Sequence, residues 1–346
     1  MRPFLTLHDP RTARRHHAEG LWRNETFYGL LAAHALERPS DEAVVHRGGA
    51  VTWQELRRRV DGAAVAFREL GLVPGDRVSV FMGNRIESLV TFLASAREGL
   101  ACNPSLHRTH TTAEVVGLLD RLSSRVLVTE PGWGADRPGT APAETFAAAT
   151  SVTRVFVPED FPAPLETPLA TPFWDDPDTV RYLAFTSGTT GTPKCVMHSD
   201  NTLLANARDL VADWRHGPRT RLLTLSPLSH HIAWVAVAEW LVAGCTLVLD
   251  DPPAGVSRLD WIVNTGAGYV MGVPTHAMDV LAEQRAAGLE RIGDVTVFYM
   301  AGAPIPPSVC EAFVRQGIVP QNVYGMTENS SHQYTHPTDS QETVIA

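Results

Sequence analysis

Apolar positions in the first part of the chain switch between two periods. From Thr52 onward they recur at Leu56, Val60, Ala64, Phe67 and Leu70, the spacing of one helix face. Thr52 and Glu55 form a capping box at the start of this stretch, and Gly71 stops it. The short apolar run Val78-Ser-Val-Phe81 then reads as a strand. Thr111 and Glu114 make a second capping box before Val115, Val116, Leu118 and Leu119, and Arg125-Val-Leu-Val128 reads as a short buried strand. Helix and strand thus alternate, which predicts parallel sheets covered by helices.

The second half continues the pattern. Val180-Arg-Tyr-Leu-Ala-Phe185 and Cys195-Val-Met197 are strands on either side of a glycine-rich loop. A helix follows through Leu203, Leu204, Ala207, Leu210, Val211 and Trp214, then the strand Leu222-Leu-Thr-Leu225. The run Ile232 to Leu249 is apolar enough to suggest a membrane span, but Glu239 and Gly244 interrupt it and it falls short of the ~20 residues a span needs. A buried helix and a buried strand explain it better. Val295-Thr-Val-Phe-Tyr299 is a further strand. Between Val157 and Pro177 prolines stand at 158, 162, 164, 168, 172 and 177 with little periodicity, as expected of a join between subdomains. The expectation is an α/β fold of two packed αβ subdomains with mostly parallel sheets, residues 1–170 and 171–346, without internal repeats.

Composition narrows the function. At 346 residues the chain can bury a large core, and a formal charge of −9 argues against a nucleic-acid surface. The basic start, Arg11 to Arg15 with His16 and His17, has no apolar stretch behind it, so it is not a secretory signal and the expected location is cytoplasmic. Cys102, Cys195, Cys245 and Cys310 lack the paired spacing of a zinc site or disulfide framework.

Of 29 basic side chains only one is lysine, Lys194, inside Phe185-Thr-Ser-Gly-Thr-Thr-Gly-Thr-Pro-Lys194. A compact ammonium suits a phosphate oxygen crowded by backbone amides, where the broad guanidinium fork needs more room. Gly188 and Gly191 let the main chain approach a ligand, and Thr186, Ser187, Thr189 and Thr190 place hydroxyls beside free N–H groups, the makings of an anion-binding nest. The plain alternative is a polar turn with a solvated lysine. The loop is not a Walker A motif, since it lacks the four-residue gap between glycines and the hydroxyl residue after lysine.

Thr186-Ser-Gly-Thr-Thr-Gly-Thr-Pro-Lys194 resembles the phosphate loop of the AMP-forming adenylating superfamily, which includes acyl-CoA synthetases, luciferases and peptide-synthetase adenylation domains. Ser226-Pro-Leu-Ser-His230-His231 is similar to the family segment beside the acyl group. Ala301-Gly-Ala-Pro304 is similar to the segment against adenine, and Tyr324-Gly-Met-Thr-Glu328 to the adenine, phosphate and magnesium motif. Weaker matches are Val51-Thr-Trp-Gln-Glu-Leu56, Leu70-Gly-Leu-Val-Pro-Gly-Asp-Arg-Val78 and Asn103-Pro104. The resemblance covers roughly residues 25 to 340. Cys195 stands where the family usually has glycine, and Ala301 replaces the first glycine of the adenine segment; both are small.

The resemblance implies the large N-terminal domain of an acyl-CoA ligase that joins a carboxylic acid to ATP as acyl-adenylate before transfer to coenzyme A. Such a site must neutralise the triphosphate before a carboxylate can attack the α-phosphorus. It assigns ATP to Thr186, Ser187, Gly188, Thr189, Thr190, Gly191, Lys194, Gly302, Ala303, Pro304, Asn322, Tyr324, Gly325, Met326, Thr327 and Glu328, with Tyr324 against adenine and Thr327 on the α-phosphate. Glu328, with Thr186, would hold Mg²⁺. The acyl side falls to His230, bordering the carboxylate, with His231, Trp234 and Gly302. His230 and His231 cannot both face one metal, because neighbouring helical positions diverge; a buried structural histidine is the competing reading for His230, and plain core for His231 and Trp234. A ribose-binding aspartate, a hinge and a second catalytic lysine would lie beyond Ala346. Expected partners are the acid, cyclic, aromatic or medium-chain in class, with ATP and coenzyme A, and a homodimer as an assembly option. Alternatives are an adenylation module loading a carrier protein and a nucleotide- or acyl-binding fragment without turnover.

Overall fold

In the computed structural model, which describes residues 9–186 and 193–345, both capping boxes form: Thr52 and Thr111 accept the N–H of Glu55 and Glu114, whose carboxylates accept the cap N–H in return. The described strands are β1 (Glu42–His46), β2 (Gly49–Thr52), β3 (Arg77–Phe81), β4 (Ala101–Asn103), β5 (Ser124–Thr129), β6 (Arg154–Phe156), β7 (Val180–Thr186), β8 (Lys194–Ser199), β9 (Arg221–Thr224), β10 (Thr246–Leu249), β11 (Tyr269–Gly272), β12 (Val297–Ala301), β13 (Val319–Met326) and β14 (Ser330–Tyr334). They belong to two units. The first takes residues 9–41, 52–205 and 228–230, and the second residues 42–51, 206–227 and 231–345.

The first unit holds a six-stranded sheet in the order β6-β5-β3-β4-β7-β8, parallel except for β8, which runs antiparallel to β7. Helices Ile86–Arg97 and Thr112–Leu122 carry the chain from β3 to β4 and from β4 to β5. Helix Ile86–Arg97 is buried along its whole length, with the sheet on one side and helices Phe27–Glu37 and Trp53–Glu69 on the other.

The proline-rich segment makes its backbone hydrogen bonds within the first unit. It runs as a strap along the helices of this first unit, where Leu165 N–H donates to Arg58 O at 3.0 Å and Trp174 N–H to Arg97 O at 2.9 Å. Leu169 N–H donates to Asp61 Oδ2 at 2.9 Å. The buried Asp61 also accepts from Tyr28 Oη at 2.6 Å and Arg97 Nε at 3.0 Å. Gly62 permits the approach, since a Cβ there would lie 2.1 Å from Ala163 O. The six-stranded sheet therefore draws strands from both sides of the 170/171 division expected from the sequence.

The second unit holds an eight-stranded sheet in the order β14-β13-β12-β11-β9-β10-β1-β2, with β13 to β1 parallel along that order and β14 antiparallel to β13. Leu223, Val248, Val270, Phe298 and Met300 from its strands pack with Ile262, Val280, Leu281 and Phe313 from helices. Helix His231–Ala243 is buried from Ala233 to Leu241, which accounts for its apolar character all round. No helix among the described residues is long and apolar enough to cross a membrane.

Candidate functional site

In parallel sheets the loops after the strand ends gather along one edge, where ligands bind. In the first unit, β7 ends at Thr186, which lies opposite Lys194 at the start of the antiparallel β8. Lys194 is exposed. Ser187, Gly188, Thr189, Thr190 and Gly191 lie outside the described residues. The two stems of this loop are held by residues the sequence reading did not single out. Phe185 N–H donates to Ser105 Oγ at 2.5 Å. Arg121, from helix Thr112–Leu122, donates from Nη1 to Pro193 O at 2.6 Å and lies 5.7 Å from the centre of the Phe185 ring. One guanidinium thus touches both stems. Cys195 is half-buried, and burial pushes its thiol upward, so it is a poor nucleophile at neutral pH.

The same edge carries a histidine cluster. Leu228 N–H donates to Asn84 Oδ1 in the loop after β3 at 2.7 Å, tying residues 228–230 to the first unit. His230 stacks on His107 with centroids 4.3 Å apart and planes 26° apart. His107 N–H donates to His110 Nδ1 at 3.1 Å. Burial, with the like charges of His230 and His110, pushes His107 down to about 4. Burial also lowers His230 and His110. These rings are therefore neutral at pH 7 and offer hydrogen bonds rather than charge. His107 and His110 come a few residues after Asn103-Pro104, the only hint of them in the sequence.

In the second unit, β12 ends at Ala301 and turns through exposed Gly302, Ala303 and Pro304. Gly302 adopts φ +86°, a left-handed conformation that glycine takes without penalty. β13 lies parallel to β12, with Asn322 beside Met300 and Val323 beside Ala301, so the turn after β12 and the end of β13 are neighbours on one edge. Tyr324 is 56% and Met326 46% exposed, unusual for large apolar side chains on a strand. Thr327 and Glu328 follow in the turn to β14, and Glu328 is exposed. Met326 N–H donates to Asn329 Oδ1 at 2.9 Å, which shapes that turn.

The hairpin of β13 and β14 is fastened from beneath. Asn206 accepts from Ser331 N–H at 3.2 Å and donates to Ser331 O at 2.8 Å, and Tyr299 Oη lies 2.9 Å from Ser331 Oγ. His231 Nε2 lies 2.9 Å from Ser330 Oγ, whereas His230 turns to His107, the divergence expected of adjacent residues. Trp234 is fully buried. No cluster of three or more His, Cys, Asp or Glu placed to hold a metal occurs among the described residues.

The mixed α/β fold with two mostly parallel sheets is shared with solved acyl-CoA synthetase structures. The chain belongs to the AMP-binding enzyme family, which matches residues 31–345. It is 29% identical to a feruloyl-CoA synthase of Amycolatopsis sp over 88% of this chain and 60% of the relative. It is 26% identical to enterobactin synthase component E of Escherichia coli K12, over 96% of this chain and 63% of the relative. In structure it is similar to the N-terminal domain of FACL13 from Mycobacterium tuberculosis, with a TM-score of 0.77 at 20% identity, over 93% of this chain and 80% of that one. The anthranilate CoA ligase AuaEII in complex with anthranoyl-AMP gives a TM-score of 0.80 at 17% identity, over 92% and 63%. The chain thus spans about 60% of the length of the curated relatives it matches.

Proposed function

We propose that this chain supplies the nucleotide- and acid-binding part of an acyl-CoA ligase that activates a carboxylic acid with ATP to an acyl-adenylate. The observation that carries the reading is Lys194, the one lysine of the chain, exposed on β8 opposite Thr186 at the end of β7 in the first sheet. Its ammonium would balance the β- and γ-phosphates, so that an incoming carboxylate meets less repulsion and pyrophosphate leaves more readily. Exposed Tyr324 offers a flat face for a purine, with the bare backbone of Gly302 and Ala303 beside it. Mg²⁺ usually needs only one or two protein carboxylates when substrate phosphates complete its shell, a demand that the exposed Glu328 fits.

The acid is proposed to be aromatic, cyclic or medium-chain, in keeping with relatives named as feruloyl-CoA synthase and medium-chain-fatty-acid–CoA ligase. Coenzyme A is the proposed acceptor and the cytoplasm the proposed location. The likeness to enterobactin synthase component E supports a second reading, in which a carrier protein accepts the acyl group. The test is exchange of labelled pyrophosphate into ATP over a panel of such acids. Exchange that depends on one class of acid is expected. A folded protein that neither binds ATP nor exchanges with any acid overturns the reading, and adding coenzyme A or a carrier protein separates the two acceptors.

A further inference from the structure

Among the features the proposed reaction leaves unused, the stacked imidazoles of the first unit stand out. His107 lies in the loop between β4 and helix Thr112–Leu122, away in sequence from every segment assigned to ATP or the acid. Yet its ring covers one face of His230 at 4.3 Å with the planes 26° apart. Its Nδ1 is buried and makes no hydrogen bond among the described residues, while its own backbone N–H donates to His110 Nδ1 at 3.1 Å. The backbone of Phe185, one residue before Thr186, lies near the same ring. His107 therefore stacks on the histidine of the proposed acyl segment and lies close to the stem of the proposed phosphate loop.

We propose that His107 is a positioning residue for His230, fixing the plane of its ring beside the bound acid and limiting the stacked pair to one proton. Two parallel imidazolium rings in van der Waals contact would repel, and burial removes the water that would screen them. The other ionisable groups bearing on the pair are His110 and, through His110, Glu114. The assignment rests on the adenylation reading only for its consequence for rate; the stack itself is tested without turnover.

The experiment compares His107→Ala and His107→Phe with the parent chain by two readouts, NMR titration of the His230 ring and acid-dependent pyrophosphate exchange as a function of pH. Phenylalanine keeps the stacked face and the burial but takes no proton. His107→Phe should leave the His230 titration and the exchange rate near the parent values. His107→Ala should let water onto the exposed face, raise the His230 pKa toward the ordinary imidazole range and slow exchange roughly 10- to 100-fold, the scale on which misplacement acts. His230→Phe should raise the pKa of His107, because the like charge is gone. An unchanged His230 titration in His107→Ala overturns the proposal, as does a Phe variant as slow as the Ala variant. Absence of exchange in the parent alongside the expected titrations would count against the adenylation reading alone.

Discussion

Lys194 is the point at which composition and geometry meet. Every other basic side chain among the 29 is arginine, and this ammonium stands across from Thr186 on the paired strands β7 and β8. Losing one electrostatic contact to developing charge costs on the order of 10²-fold in rate. Lys194→Ala should therefore slow pyrophosphate exchange by about that factor, and Lys194→Arg should also be impaired because the planar fork demands more room. Parent rates in the arginine variant would remove the argument for a compact cation. Glu328→Gln keeps the shape and removes the charge. It should raise the Mg²⁺ concentration needed for half-maximal exchange with no change in thermal stability, since Glu328 is exposed. An unaltered Mg²⁺ dependence would place the metal on other oxygens.

The hairpin of β13 and β14 shows how an element is fixed by one missing side chain. The pairing slips between Tyr324 and Gly325, and a Cβ on Gly325 would lie 1.9 Å from Ser330 O. The atoms met are backbone rather than the end of a movable side chain, so Gly325→Ala should push β14 away, disturb Tyr324 and weaken ATP binding measured by calorimetry. Gly117, inside helix Thr112–Leu122 with nothing within 4 Å of its added Cβ, gives the contrast. Gly117→Ala should stabilise the protein by about 0.5–1 kcal/mol, read by denaturant unfolding. The Thr52 and Thr111 helices, β7 and β8 were legible because caps and local periodicity define them. The strap at 157–177 was not, because its bonds go to Arg58, Asp61 and Arg97, roughly a hundred residues away. His107 and Arg121 escaped for the same reason: their roles come from contacts with His230, Pro193 and Phe185 that no local pattern records.

Over the whole molecule, proton binding is distributed unevenly between the two units. In the first, His107 is pushed from 6.5 to about 4, and burial lowers His110 and His230 as well. The unfolded chain then binds these protons at higher pH than the native one, so stability falls as pH drops from about 6.5 toward 4. Backbone hydrogen bonds hold Glu55, Glu114, Asp120 and Asp136 below the usual carboxylate range, which extends the loss on the acid side. One group opposes this. Buried Asp200, beside Arg181 at 3.4 Å, is raised from 3.8 to about 6, so the native state gains its proton first and is favoured as pH falls through 6. In the second unit the resolved carboxylate shifts, at Asp209, Glu239 and Asp250, all go upward through burial, and acid favours their native forms. The first unit should accordingly open before the second on acidification. Hydrogen exchange measured from about pH 7 to pH 4 should show the amides of β3 and β5 losing protection before those of β9 and β11. His107→Phe should soften that loss. Asp200→Asn should steepen it by removing the opposing group, and should destabilise the first unit by about 3–5 kcal/mol at neutral pH by stranding the buried Arg181 charge. Earlier loss of protection in β9 and β11 would show that the buried carboxylates of the second unit, not the histidines of the first, govern acid unfolding.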